Sequence, residues 1–184
     1  MNWNEHSKIE GEHAFLGASN YHWLNYTPEK LVSVYRNSQA RLEGTKLHDF
    51  ASMAISRKIK LSKTKNTLNQ FVNDSIGFNM DSERMLFYSF NSFGTADAIS
   101  FKKNVLRIFD FKTGVMKTSF KQLDIYAALF CLEYTINPKA IVIEQRIYQS
   151  NTYREEHPEG DYISEVMNRI VHFDEIIEQQ KLTP

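Results

Sequence analysis

Cys131 is the only cysteine in the 184-residue chain. A lone thiol excludes an internal disulfide framework and any iron–sulfur cluster held by cysteines alone. Four prolines and seven glycines are thinly spread and form no linker. With no internal repeat or low-complexity tract either, a single domain over 1–184 is expected. No apolar run approaches the roughly 20 residues that a membrane helix needs. The opening "MNWNEHSKIEGEH" lacks the apolar segment of a signal peptide. A soluble, cytoplasmic protein with no membrane partner is therefore expected. There is no excess of charge: 22 basic and 22 acidic residues balance. No overall field drives the chain toward nucleic acid or an anionic membrane.

What is there is globular in kind, with 42% apolar and 13% aromatic residues. The neutral total hides local bias. "RKIKLSKTK" carries Arg57, Lys58, Lys60, Lys63 and Lys65 with no acid among them. Such a run is either a solvated face or a phosphate-contacting segment. Glu155, Glu156, Glu159 and Asp161 reverse the sign further on.

Period and punctuation divide the chain into elements. "GASNYHWLNY" reads as a short helix capped by Ser19 and ending before Pro28. Residues 38–60 read as a long helix, with Leu42, Leu47, Phe50, Ala51, Ala54 and Ile55 near helical spacing. A second helix covers 66–77. Three short runs rich in aromatic and branched residues follow: "RMLFYSF", "GTADAISF" and "NVLRIFDF". They read as strands. "FKQLDIYAALFCLEY" returns to helical period, "KAIVIEQRIYQ" is a fourth strand, and "YISEVMNRIVHFDEIIEQQ" is a closing amphipathic helix. Three consecutive strands suggest a meander, and the helix before the fourth allows a parallel crossover. The fold class is α/β, a central mixed sheet flanked by helices. A helical part at about 13–78 precedes an α/β core at about 79–150 and a closing helix at about 161–181.

One strand carries chemistry. Side chains alternate across a strand, so Leu106, Ile108, Asp110 and Lys112 share a face. The first two suit a core; the last two emerge where the strand leaves it. By the same alternation Thr95, Asp97, Ile99 and Phe101 share a face of the preceding strand. If the strands are neighbours, Asp97 and Asp110 converge. Two aspartates in a low-dielectric cleft repel, and one stays protonated unless a cation lies between them. An oxygen-seeking ion such as Mg²⁺ or Mn²⁺ removes the conflict. Lys112 would then stabilise charge on a reacting phosphate or position a water. Read singly, the aspartates are ordinary turn-adjacent polar residues and Lys112 an outward-reaching amine.

In order along the chain stand "EGTKLH" (43–48), "GTAD" (94–97), "DFKTG" (110–114) and "QLDIY" (122–126). Together they resemble the RecB-like branch of the PD-(D/E)XK nuclease superfamily. "HAFLGASNYHWLNYTPEKL" resembles the N-terminus of phage-encoded members. The resemblance spans about residues 13–148 and implies a restriction-endonuclease-like core. It assigns Asp97 and Asp110 as metal-binding acids, His48 as a further metal ligand and the Phe111 backbone carbonyl as another. Lys112 matches the lysine of the D-x-K element, and Gln122 and Tyr126 match a Q-x-x-x-Y element beside the site. Spacing i, i+4 puts Gln122 and Tyr126 on one helix face. Many relatives carry a four-cysteine iron–sulfur cluster. Tyr26 stands where their first cysteine would be and the later ones are missing, so no cluster is expected. No phosphate-binding Gly-x-x-x-x-Gly-Lys-Ser/Thr loop is present to drive a helicase.

The implied activity is a Mg²⁺- or Mn²⁺-dependent deoxyribonuclease, an exonuclease hydrolysing phosphodiesters by a metal-activated water. DNA would be the substrate, with Arg57, Lys58, Lys60, Lys63 and Lys65 on its backbone. A phage setting would bring a recombination or replication protein as partner, in the host cytoplasm. The alternatives are a nuclease-fold protein that binds without cutting, an inhibitory phage protein that keeps only the fold, and a structure-selective endonuclease.

Overall fold

A computed structural model of the chain describes Ser7, residues 13–114 and residues 117–182. Most of the N-terminal stretch tested above for a signal peptide lies outside the described residues. Packing divides the chain into two units, 1–43 and 44–184. None of the described helices is long and apolar enough to cross a membrane.

In the first unit a 3₁₀ helix spans Ala18–Asn25. Its N-cap is Gly17 rather than Ser19, and the Trp23 indole donates back to the Gly17 carbonyl at 3.1 Å. Helix α1 starts at Pro28 and continues across the unit boundary to Ser56. It therefore begins ten residues before the apolar pattern that suggested a start at 38. Proline suits a first helical turn, and Glu29 complements the positive end of the helix dipole. α1 also stops at Ser56, short of residue 60.

The second unit is built on a five-stranded sheet in the order β1-β2-β3-β4-β5. Its strands are β1 Asp81–Ser89, β2 Ser92–Lys102, β3 Val105–Phe111, β4 Val142–Gln149 and β5 Thr152–Glu156. The first three form an antiparallel meander, β3 and β4 run parallel, and β5 returns antiparallel to β4. Helix α2, Thr67–Gly77, precedes the sheet. Helix α3, Lys121–Glu133, makes the crossover between the parallel pair, and α4, Gly160–Lys181, follows the last strand. Asn66 caps α2 through the backbone N–H groups of Leu68 and Asn69.

Two apolar layers hold the sheet. Leu106 and Ile108 pack with Leu123, Ala127 and Leu129 of α3 and with Ile163 of α4. Phe109 and Phe111, one residue out of phase, pack with Ala51, Ala54 and Ile55 of α1 and Phe71 and Val72 of α2. Burying side chains of this size contributes about 1.5–3 kcal/mol each. Cys131 is fully buried in the first layer, and burial pushes its thiol up to about 11. It is a small core residue rather than a reactive one. The apolar patterns overran the core at several points. Leu42 and Phe50 on α1, Tyr134 after α3, and Phe173 and Ile177 on α4 are all exposed.

Simple alternation fails in β2. Ala96 and Ile99 lie in the same layer while Ala98 lies in the other. Ile99 therefore does not share a face with Thr95 and Asp97, and the phase shifts at Asp97. The cause is visible in β1. Ser82 pairs with Ala98 and Arg84 with Ala96, which leaves Glu83 and Asp97 opposite each other and outside the ladder. Glu83 has φ of 50°, a left-handed backbone inside a strand.

Candidate metal centre

The site forms where β2 and β3 part. Their pairing ends at Ala98 and Phe109, one residue short of Asp97 on one strand and of Asp110 on the other. Asp97 Oδ2 accepts the Phe111 N–H at 2.8 Å, which ties the two strand ends together. His48, on α1, brings Nδ1 to 3.4 Å from the same oxygen. Its ring lies 5.2 Å from that of Phe111. The bond to Asp97 raises the His48 pKa against the opposing effect of burial, and the charges of Asp97, Asp110 and Glu83 add to the rise.

Asp110 is 2% exposed and arrives on the α3 side, in line with Leu106 and Ile108. One carboxylate oxygen meets Lys112 Nζ at 3.0 Å. The other, Oδ2, is buried with no hydrogen-bond partner. Burial pushes the Asp110 pKa up to about 6, helped by the nearby Asp97 charge and opposed by Lys112 and His48. Lys112 Nζ also donates to Gln122 Oε1 at 3.0 Å, and Gln122 Nε2 donates to the Tyr126 hydroxyl at 2.8 Å. Gln122 and Tyr126 sit one turn apart at the start of α3. A single polar chain thus runs from Asp110 through Lys112 and Gln122 to Tyr126.

Two glycines make room for this convergence. A Cβ on Gly94 would sit 2.9 Å from the Tyr126 ring, and one on Gly44 would meet Thr113 Oγ1 at 3.2 Å. The first is closer than real β-carbons come, and the second is tight enough that Thr113 would have to give way by a few tenths of an ångström. Glycine in the "EGTKLH" and "GTAD" stretches therefore lets α1 and α3 close on the strand ends.

The structure brings together His48, Asp97, Asp110, Phe111, Lys112, Gln122 and Tyr126. The basic segment lies elsewhere on the second unit, in the ordered loop between α1 and α2. Asn73 clamps the loop through both the N–H and the carbonyl of Leu61. Asn69 and Gln70 hold the carbonyls of Ser62 and Lys65. Arg57, Lys58, Lys60, Lys63 and Lys65 are exposed, and none enters an ion pair among the described residues. Lys58 and Arg84 line a cleft of about 690 Å³ that Glu83 also lines. Tyr26, where relatives have a cysteine, is the C-cap of the 3₁₀ helix in the first unit.

Sequence reasoning missed Glu83. Ligand atoms of His48, Glu83 and Asp97 lie within 4.8 Å of one another. Burial and the Asp97 charge raise the Glu83 pKa, and His48 opposes the rise. The only signal for it was an acid in the strand preceding "GTAD", and strand register was needed to place it opposite Asp97.

The donor set suits a divalent cation. His48, Glu83 and Asp97 offer carboxylate oxygens and one imidazole within 4.8 Å of one another, and Asp110, whose Oδ2 is buried without a hydrogen-bond partner, feels the charges of Asp97 and His48. Compared with protein-family models, curated proteins and solved structures, the chain matches none.

Proposed function

We propose that the chain is a divalent-cation-dependent deoxyribonuclease with the restriction-endonuclease-like core of the RecB-like PD-(D/E)XK branch. The observation that carries this reading is the Asp110 carboxylate, buried and within reach of the Asp97 and His48 charges, with one oxygen salt-bridged to Lys112 and the other without a hydrogen-bond partner. Acids, an imidazole and an ammonium so grouped are what phosphodiester hydrolysis needs.

Asp97, Asp110, His48 and the Phe111 carbonyl would hold Mg²⁺ or Mn²⁺. When bound, such an ion makes water more acidic and neutralises phosphate charge. The remaining work falls to side chains. Lys112 presents its ammonium to the phosphate or to the attacking water, held in place by Asp110 and Gln122. A charge fixed in this way needs no reorganisation as negative charge develops, and such a group is worth about 2.7–4 kcal/mol. Tyr126 fixes which way the Gln122 amide faces, so that its oxygen points to Lys112.

Two surfaces of the second unit fit a nucleic-acid strand. Lys58 and Arg84 put positive charge on the walls of the cleft that Glu83 lines. On the outer face of the β1–β2 hairpin, Met85, Phe87 and Phe93 are exposed, and the rings of Phe87 and Phe93 stack 6.4 Å apart. Bases stack on exposed rings of this kind without regard to sequence. An exonuclease that handles a single-stranded end uses both features.

The test is cutting of linear duplex, circular duplex and single-stranded DNA with Mg²⁺ or Mn²⁺. Linear and single-stranded DNA should be degraded and closed circles spared, with no reaction in excess EDTA. Undiminished cutting in EDTA overturns the reading, as does inertness toward all three substrates with either metal. Cutting of closed circles would make the protein an endonuclease.

The basic loop gives a second expected result. Lys58→Ala, Lys60→Ala and Lys63→Ala should each weaken DNA binding alike for all sequences. Each should also flatten the slope of log affinity against log salt, by about 0.7–0.9 for every phosphate the variant no longer touches. Binding titrations across a salt series check this, and unchanged slopes in all three variants return the loop to a solvated face.

A further inference from the structure

We infer that Glu83 is a ligand of the same cation, delivered from β1 by its left-handed backbone. The inference deepens the metal-centre reading and rests on it.

Three observations converge on this residue. The first is conformation. A non-glycine residue with φ of 50° inside a strand is held against its own preference. Backbone strain of this kind persists where surrounding structure imposes it, and it clusters at working sites. Here Ser82 and Arg84 pair regularly on either side of Glu83, so the departure is confined to the residue opposite Asp97. The second is proximity. The Glu83 carboxylate comes within 4.8 Å of ligand atoms on both His48 and Asp97. Like charges that close repel, and nothing among the described residues offers Glu83 a cationic side chain in an ion pair. The third is composition. Two carboxylates and an imidazole meet in this group, the oxygen and nitrogen donors that a divalent cation takes. Asp110, whose Oδ2 is buried without a hydrogen-bond partner, lies near enough to Asp97 and His48 to feel their charges.

The arrangement also divides the ligands by element. Glu83 comes from β1, Asp97 from β2, Asp110 and Phe111 from β3, and His48 from α1. The cation would therefore tie the hairpin to the rest of the second unit. Of these residues, only Glu83 lines the cleft that Lys58 and Arg84 also line.

The experiment uses the full chain, with Mn²⁺ alone as the probe. Wild type, Glu83→Gln and Asp49→Asn are titrated by calorimetry at pH 8, and their melting temperatures are compared in EDTA and in Mn²⁺. Asp49 is an exposed acid close enough to add to the rise of the Glu83 pKa but outside the ligand group. Its variant removes the same charge without removing a ligand. Glu83→Gln should bind Mn²⁺ at least tenfold more weakly, and Asp49→Asn less than threefold. In EDTA, Glu83→Gln should melt at or above the wild-type temperature, because repulsion with Asp97 is gone. In saturating Mn²⁺ it should gain fewer degrees than wild type. Wild-type Mn²⁺ affinity in Glu83→Gln overturns the inference and leaves the metal centre standing. Equal losses in Glu83→Gln and Asp49→Asn also overturn it, because charge alone would then account for the effect. If wild type itself binds no Mn²⁺, the metal centre and the inference fall together.

Discussion

Asp110→Asn protein should cut DNA at least a hundredfold more slowly than wild type, yet in EDTA at pH 8 it should melt at a higher temperature. Both effects come from one buried carboxylate. The loss of cutting follows because asparagine replaces an anionic oxygen with an amide that binds divalent cations poorly. The gain in stability follows from the pKa. Burial, then the Asp97 charge, raises Asp110 in the folded protein from 3.8 to about 6. An acid raised on folding stabilises the fold fully only below its unfolded pKa. That contribution is lost as pH rises from about 4 through about 6. At pH 8 the ionised group is held where its neutral form would be preferred. The cost of that rise is on the order of 3 kcal/mol. Asparagine never carries the charge, so its melting temperature should fall less than that of wild type across this window. Near pH 4 the two curves should meet. In saturating Mn²⁺ the order should reverse, because only wild type gains the ion. Thermal melts from pH 4 to 8, with and without Mn²⁺, check the pattern. Wild-type cutting by Asp110→Asn would overturn the assignment. A lower melting temperature at pH 8 in EDTA would show that the Lys112 ion pair outweighs burial.

What could be read in the sequence was what depends on near neighbours. The meander, the crossover helix and the closing helix follow from period and punctuation, and each is present. Gln122 and Tyr126 could be placed on one face of α3 by spacing, and Lys112 just past the end of β3 by strand alternation. β5 escaped because "TYREE" carries the charge and exposure of an edge strand, with almost no apolar face to reveal it. Its turn was the readable signal. Ser150 and Asn151 both have positive φ, as a two-residue hairpin requires. The early start of α1 was hidden because its first turns, in the other unit, have no buried residue to impose a period. Glu83 was hidden for a different reason. No local pattern announces a left-handed residue in a strand, and its position opposite Asp97 is a matter of register between two strands. The link from Lys112 to Gln122 likewise depends on how α3 packs against β3. The parts of the site that escaped notice are those fixed by tertiary packing.

Lys112→Ala separates the role proposed for the acids, holding the ion, from that proposed for the amine, acting on the substrate. The lysine competes with any cation for Asp110, since its Nζ already sits 3.0 Å from one oxygen of that carboxylate. Removing it takes a positive charge out of a cluster that must accept two more. Mn²⁺ affinity at pH 8 should therefore be unchanged or higher. The pH matters because Lys112 holds the Asp110 pKa down. Without the lysine a proton displaces the metal more readily, so below about pH 7 the variant should lose Mn²⁺ sooner than wild type. The single-turnover cutting rate should fall by about a hundredfold or more at saturating metal. Gln122→Ala should fall less, because it leaves the ammonium in place and removes only the group that aims it. Asp97→Asn and Asp110→Asn should lose affinity and rate together. If Lys112→Ala binds Mn²⁺ as poorly as Asp110→Asn at pH 8, the lysine organises the ligands rather than acting on the phosphate. If it cuts at the wild-type rate, the polar chain from Asp110 to Tyr126 serves packing at the start of α3, and the phosphodiesterase reading loses its charged partner.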